Sequence, residues 1–331
     1  MTGRGLSPRG LSARPYAPED RDQWDELAAS ARTRHFMFQR DYMEYHADRF
    51  TDASLLVVRG GRPRALFPAT RHGGTVISHG GLTFGGMLSG SELTTLRTME
   101  AVAAVSAALR AQGVTRLIYK PVPHIYHLAP AEEELYALHE SGARLIRRDV
   151  SSAVPPTTRP ESSRKRRHAA EQAWRSGVSV AEDGAVEPFM ELVARVLEQR
   201  HGVTVTHTPA EMRWLADRFP RGIRLFTARV DDEMVAGALV FETPMVAHTQ
   251  YIAASPRGRE LSASDAVLAH LIEKRYPDRW FDFGISNEPD GSLNEGLAHF
   301  KEGFGARAVL YDRYELDLSG TEGPHGVDDL R

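Results

Sequence analysis

The sequence predicts an α+β, layered protein made of two tandem lobes, each a mixed and mostly antiparallel sheet flanked by helices. Three observations carry this expectation. Runs with strand periodicity alternate with runs of helical periodicity. The order of these runs is written twice along the chain. The 331 residues, 41% hydrophobic and 26% charged, also exceed what one core usually organises, so two domains of roughly 150 residues are expected.

In the first half, "LLVVRGGRPRALFPA" reads as a hairpin turning at Gly60-Gly61, and "VISHGGLTFGGM" as a further strand. The run "TLRTMEAVAAVSAALRAQG" has apolar residues at three and four spacing and predicts a helix leading to the strand "TRLIYKPVP". A short helix, "EEELYALHES", and a last strand opened by Gly142, "GARLIRRDVSSAV", complete the unit. The second half repeats it. The hairpin "LFTARVDDEMVAGALVFE" bends at Asp231-Asp232, and the strand "MVAHTQYIAAS", helix "ASDAVLAHLIEKRY" and strand "RWFDFGIS" follow. Then come the helix "NEGLAHFKEGF" and "GARAVLYDRYELDL", opened by Gly305. The expected boundaries are a first lobe over 1–154, a basic linker helix over 155–175 starting after Ser162 or Ser163, a second lobe over 176–318 and a disordered tail over 319–331. The first dozen residues also read as disordered.

The absence of cysteine excludes disulfides, thiol nucleophiles and thiolate metal sites. A net charge of −3 gives no overall attraction to polyanions, so such contacts would need a local patch. No apolar run suits a signal peptide or membrane span, and a cytoplasmic protein is expected. His124 and His127 lack a third ligand, and no metal site is expected.

The stretch "FDFGISNEPDGSLNEGLAHFKEGFGAR", residues 281–307, passes from strand to polar loop to helix. With two lobes of this element order, "FDFG" and "FKEGFGA" resemble the GNAT acyltransferase fold, and in particular the Fem (FemABX-like) aminoacyl- and peptidyltransferases and related acetyltransferase-like proteins, over residues 35–318. The resemblance implies two GNAT-like lobes and transfer of an acyl group to an amine. It also implies aminoacyl-tRNA as co-substrate, no permanently bound cofactor, and a small-molecule or precursor amine as acceptor. An acetyl-CoA or acyl-CoA donor is the alternative. Its pyrophosphate turn would be Arg257-Gly258-Arg259-Glu260-Leu261-Ser262, in which Glu260 and Ser262 stand where glycines would let the backbone approach a phosphate. A further alternative is a non-catalytic RNA- or sugar-nucleotide-binding protein on the same scaffold.

Only four basic residues are lysine, at 120, 165, 274 and 301. The resemblance places Lys301 at the acyl-transfer centre, where an ammonium would stabilise the oxyanion, with Phe300 beside the reacting ester. Asp282 alternates with aromatics on its strand and is expected either to anchor a hydrogen-bond network or to act as base. Strict alternation would put His248, Gln250 and Ile252 on one face, with Thr249 and Tyr251 on the other. His248 and Gln250 are expected to face ligand, and Tyr251 resembles a family tyrosine near the acceptor. Ser286, Asn287 and Asn294 in the loop, and His79 and Lys120 at strand ends of the first lobe, are further substrate-binding candidates. Arg164, Lys165, Arg167, Arg257 and Arg259 are candidates for RNA or phosphate, with Arg166, Arg175 and Trp174 beside the first three. Arg200, His201 and His207 are expected in one loop ahead of a helix begun by Thr208 or Pro209.

Overall fold

Both hairpins form at the turns expected. Arg59 pairs with Arg62 across Gly60-Gly61, and Val230 pairs with Glu233 across Asp231-Asp232. All four turn residues have positive φ, the conformation a two-residue hairpin turn demands and one that Gly and Asp tolerate. The structure, a computed structural model, describes residues 10–202 and 204–320, apart from the side chains of Arg200 and His201. The termini expected to be disordered fall largely outside these residues. Ser12 lies inside them and opens an edge strand, since it pairs with Val58. The chain divides into two units, one of residues 1–148 with 311–331 and one of residues 149–310.

The first unit contains β1 (Ser12–Pro15), α1 (Arg21–Ser30), α2 (Arg40–Glu44), β2 (Thr51–Asp52), β3 (Leu55–Arg59), β4 (Arg62–Phe67), β5 (Thr70–His72), β6 (Thr75–Ile77) and β7 (Leu88–Ser89). It continues with α3 (Thr95–Ala111), β8 (Arg116–Tyr119), α4 (Glu133–Glu140) and the start of β9 (Arg144–Val154). Strands β1, β3, β4 and β7 form one antiparallel sheet. Antiparallel β2, β5 and β6 join β8, which runs parallel to β6, and the end of the last strand lines up antiparallel to β8. Leu55, Phe67, Val76, Val102, Val105, Leu117 and Leu138 meet in the core, so α3 buries the apolar stripe its sequence shows.

The second unit takes the rest of β9, α5 (Arg164–Arg175), β10 (Ser179–Asp183), α6 (Val186–His201), α7 (Pro209–Arg218), β11 (Ile223–Val230), β12 (Glu233–Glu242) and β13 (Val246–Ala254). It ends with α8 (Pro256–Glu260), α9 (Ala263–His270), β14 (Trp280–Ile285), α10 (Glu295–Glu302) and the start of β15 (Arg307–Asp317). Its strand order is β10-β11-β12-β13-β14-β9, antiparallel except where β13 lies parallel to β14. Helices α9 and α5 pack on one face, where Ala236, Ala238 and Val240 of β12 meet Ala263, Ala266 and Val267 of α9. Helix α6 packs on the other, and Gly237 is required there, because a Cβ would lie 2.8 Å from the Phe189 ring. Each unit is thus an α+β arrangement with one parallel pairing, β6 with β8 and β13 with β14, each bridged by a helix. Gly142 and Gly305, the repeated openings of the last strands, both have left-handed φ.

Ser163 caps α5, with its hydroxyl accepting from the Arg166 N–H, and Thr208 caps α7 with Pro209 as first helical residue. Arg200 and His201 are the last residues of α6 rather than loop residues. Gly258 of α8 sits against β12, where a Cβ would lie 2.0 Å from the Val235 carbonyl oxygen. Gly258→Ala is therefore expected to lower stability by about 1–3 kcal/mol, measured by urea unfolding. Gly184→Ala, whose Cβ would meet nothing within 4 Å, is expected to cost less than about 0.5 kcal/mol.

Candidate active site

Strands β13 and β14 pair over only three positions, Val246 with Trp280, Ala247 with Phe281 and His248 with Asp282. Beyond His248 and Asp282 the parallel pairing stops, and β13 continues to Ala254 paired with β12. The two strands form a fork with these two residues at its base. A β-bulge opposite Leu239 and Val240 adds Gln250 to β13, so Thr249 faces Val240 while Tyr251 faces Leu239. This overturns the strict alternation expected from sequence. His248, opposite Phe241, shares a face with Tyr251, and Ile252 turns to the other face, against the α9 core.

Asp282 is fully buried. Its Oδ1 accepts from the Ser151 hydroxyl of β9 at 2.6 Å and from the Gly284 N–H at 3.1 Å, and its Oδ2 lies 2.8 Å from His248 Nδ1. A carboxylate with such donors assigns the proton to Nδ1 and leaves a lone pair on Nε2. Nε2 has no hydrogen-bond partner among the described residues, and the His248 side chain is 13% exposed. Gly284 has φ +80°, and a Cβ there would come within 3.2 Å of His248 Cε1, so glycine keeps this edge of the imidazole clear. On the same face the Tyr251 hydroxyl bonds His207 Nδ1 at 2.7 Å, and burial pushes the phenol pKa up.

Lys301 lies immediately beyond the fork, 4% exposed. Its Nζ donates to Gly284 O at 2.7 Å, Ile285 O at 2.8 Å and Ser286 Oγ at 2.9 Å, so all three ammonium donors are used on the end of β14. Burial lowers its pKa to about 8, against a smaller opposing pull from Asp282. The loop candidates turn inward as well. Asn287 Oδ1 accepts from Val150 N and its Nδ2 donates to Gly291 O, while Asn294 caps α10 and bonds Glu288. Phe300 packs edge-on to Phe304 with the Arg166 guanidinium 4.3 Å above its ring.

Arg166 also pairs at 2.9 Å with buried Asp265 in the first turn of α9. Arg257 pairs with Asp231 and Glu233, Arg259 donates to Ala254 O, Arg167 meets Glu161 and Arg175 meets Glu171. Arg164 and Lys165 are exposed and carry no ion pair among the described residues. In the first unit, Lys120 is buried with its Nζ donating to Leu82 O at 2.5 Å, and desolvation lowers its pKa to about 7. His79 is buried beside it, burial holds its pKa well below the usual range, and its Nδ1 has no hydrogen-bond partner among the described residues.

Sequence reasoning missed Ser151 and the pairing of Arg166 with Asp265. Consecutive serines in the otherwise apolar "VSSAV" were the available signal for the first. Nothing local marks the second, because its partners are 99 residues apart.

Residues 157–302 match the family model described as Acetyltransferase (GNAT) domain. No curated protein sequence matches the chain significantly. Among solved structures, that of FemX resembles the chain with a TM-score of 0.65 at 13% identity, covering 93% of this chain and 98% of the other. The C-terminal domain (DUF2156) of a putative lysylphosphatidylglycerol synthetase from Agrobacterium fabrum has a TM-score of 0.61 at 12% identity, covering 90% and 92%. L-PGS from Bacillus licheniformis has a TM-score of 0.58 at 13% identity, covering 90% and 91%. The chain therefore has a GNAT-type fold, a mixed sheet flanked by helices. Among the described residues, no helix is long and apolar enough to cross a membrane.

The Lys301 environment makes stability pH-dependent in a definite direction. Its folded pKa of about 8 lies below the ordinary 10.5, so between these values the unfolded chain binds more protons and stability rises with pH. In wild type, unfolding free energy is expected to climb from pH 8 to 10.5 by on the order of 3 kcal/mol more than in Lys301→Met. Urea titrations of both proteins across that range provide the check, and equal slopes would show that this ammonium is not desolvated.

Proposed function

We propose that the protein is an acyltransferase of the Fem-like class, built of two tandem GNAT-like lobes, that forms an amide by transferring an aminoacyl group from aminoacyl-tRNA to an amine acceptor. The observation that carries the acyl-transfer reading is the Ser151–Asp282–His248 chain at the base of the fork. An ammonium acceptor must lose a proton before it can attack. His248 Nε2 takes that proton, and Asp282 stabilises the resulting imidazolium while Ser151 and the Gly284 N–H hold the carboxylate. The amine nitrogen then bonds the acyl carbon, the ester C–O bond breaks, and the leaving ribose oxygen takes up the second proton, which the attacking nitrogen sheds as the amide forms, while His248 returns the first to solvent. Lys301 serves as a positioning residue, because its ammonium fixes Gly284 to Ser286 and hence the edge along which His248 lies.

The donor assignment rests on α8 and α9. A CoA pyrophosphate at the start of α9 would meet the Asp265 carboxylate in that first turn, which Ser262 enters at φ +54°. Gly258 is used for packing, and Arg257 is committed to two carboxylates. An aminoacyl ester asks for no such grip, and the resemblance of the sequence around Lys301 to the Fem enzymes supports this donor. Arg164 and Lys165 are the cations best placed for tRNA phosphate, and such a donor implies action in the cytoplasm.

With aminoacyl-tRNA and an amine acceptor, His248→Gln is expected to lower kcat about 10²–10⁴-fold with little change in KM. Unchanged turnover would remove the proton-acceptor role. Replacing both Arg164 and Lys165 by Gln is expected to flatten the salt dependence of tRNA binding by roughly 1–2 in log–log slope. Saturable protection of the protein by CoA in a thermal melt, without tRNA binding, would overturn the donor assignment.

A further inference from the structure

A groove runs between α5 and α9 in the second unit. The two helices lie side by side and run in the same direction. At one end Arg166 pairs with Asp265 at 2.9 Å, and at the other the Lys274 Nζ stands 5.3 Å from the centre of the Trp174 ring. At 1.5 Å per helical residue these ends are about 12 Å apart. The Arg166 end lies toward the mouth of the fork, because β13 leads from His248 through α8 into the first turn of α9.

Between the ends is a cavity of about 90 Å³, open along one side and floored by Ala170, Trp174, Ala269 and Phe304. Trp174 keeps 37% of its surface exposed there. Helix α9 continues as a π-helical turn, Leu271–Arg275, which brings Glu273 to the cavity wall and Lys274 to the indole. The charges on the walls differ from those on the rim. Arg166 and Glu171 are paired, with Asp265 and Arg175. Arg164 and Lys165 at the head of α5, and Lys274 at the far end, are exposed and have no ion pair among the described residues.

Free cations along a rim above an aromatic floor suit single-stranded nucleic acid, whose phosphates take the cations while a base stacks on the ring. A duplex would not present a base face to Trp174, and an acidic peptide would leave the indole unused. Glu273 is also exposed and without an ion pair among the described residues. Its carboxylate keeps phosphate off the floor but accepts from a base amino group, as acidic side chains do from cytosine N4.

We infer that this groove holds the single-stranded CCA end of the aminoacyl-tRNA, with a cytosine stacked on Trp174 and its N4 amino group donating to Glu273. The inference rests on the tRNA donor proposed for the fork. The ester-bearing adenosine then passes Arg164 and Lys165 toward His248.

The test is binding of the full chain to an acceptor-stem hairpin RNA ending in CCA, to one ending in UUA, and to a blunt hairpin, each at the same salt concentration. Wild type is expected to bind the CCA form roughly 5–150-fold more tightly than the blunt form. Trp174→Ala is expected to lose that preference and Trp174→Phe to keep most of it, whereas Glu273→Gln is expected to lose the preference for CCA over UUA. Equal wild-type affinity for all three hairpins, or a preference unchanged in Trp174→Ala, would overturn the groove and leave the tRNA donor standing. Failure of wild type to bind any of the RNAs would overturn the donor and the groove together. If Trp174→Ala does not fold, Glu273→Gln decides, and an undiminished preference for CCA over UUA contradicts the assigned contact.

Discussion

The second unit depends on one buried carboxylate. Asp282 is fully buried on a central strand between Phe281 and Phe283, which face the α9 core while Asp282 shares the opposite face with His248; an unpaired charge there would be prohibitive, and it is tolerated because donors from β9, β13 and its own strand converge on it. The same bonds fix the geometry on which the proposed chemistry relies. Ser151 ties β9 to β14, His248 ties β13 to β14 at the last position where those strands pair, and the Gly284 N–H turns the chain so that glycine faces the imidazole edge. Stability and the proposed proton transfer thus draw on one hydrogen-bond network.

The elements were legible in the sequence because their causes are local. Gly60-Gly61 and Asp231-Asp232 mark hairpins through positive φ, Thr208-Pro209 marks a helix start, and the apolar spacing of residues 95–111 marks α3. The small strands β1, β2 and β10 and the helices α1, α2 and α6 lacked so clear a signature. Within the site, the polarity of His248 and Asp282 on apolar strands was readable, but their partnership was not, since it is made across strands 34 residues apart. The bulge at Gln250 was also hidden, because it arises from register against β12 rather than from any residue that demands it. That single extra residue exchanges Ile252 for Tyr251 on the His248 face.

Lys301 illustrates how a residue can be singled out from sequence while its chemistry waits on geometry. Its rarity in an arginine-rich chain suggested an ammonium with a task, and the fold gives it three acceptors at the end of β14. A guanidinium, planar and wider, could not direct three donors to Gly284 O, Ile285 O and Ser286 Oγ from one nitrogen. The basic linker shows the opposite outcome, since Arg166 and Arg167 spend their charge on Asp265 and Glu161. Through Asp265 the Arg166 guanidinium ties α5 to the first turn of α9.

The most direct measurement is nitrogen-15 NMR of the His248 imidazole in the folded protein near neutral pH, with Asp282→Asn as comparison. The Asp282 hydrogen bond predicts the tautomer protonated at Nδ1 with a bare Nε2, and loss of that preference in the variant. A wild-type ring protonated at Nε2 and bare at Nδ1 would contradict a proton-accepting dyad at the fork.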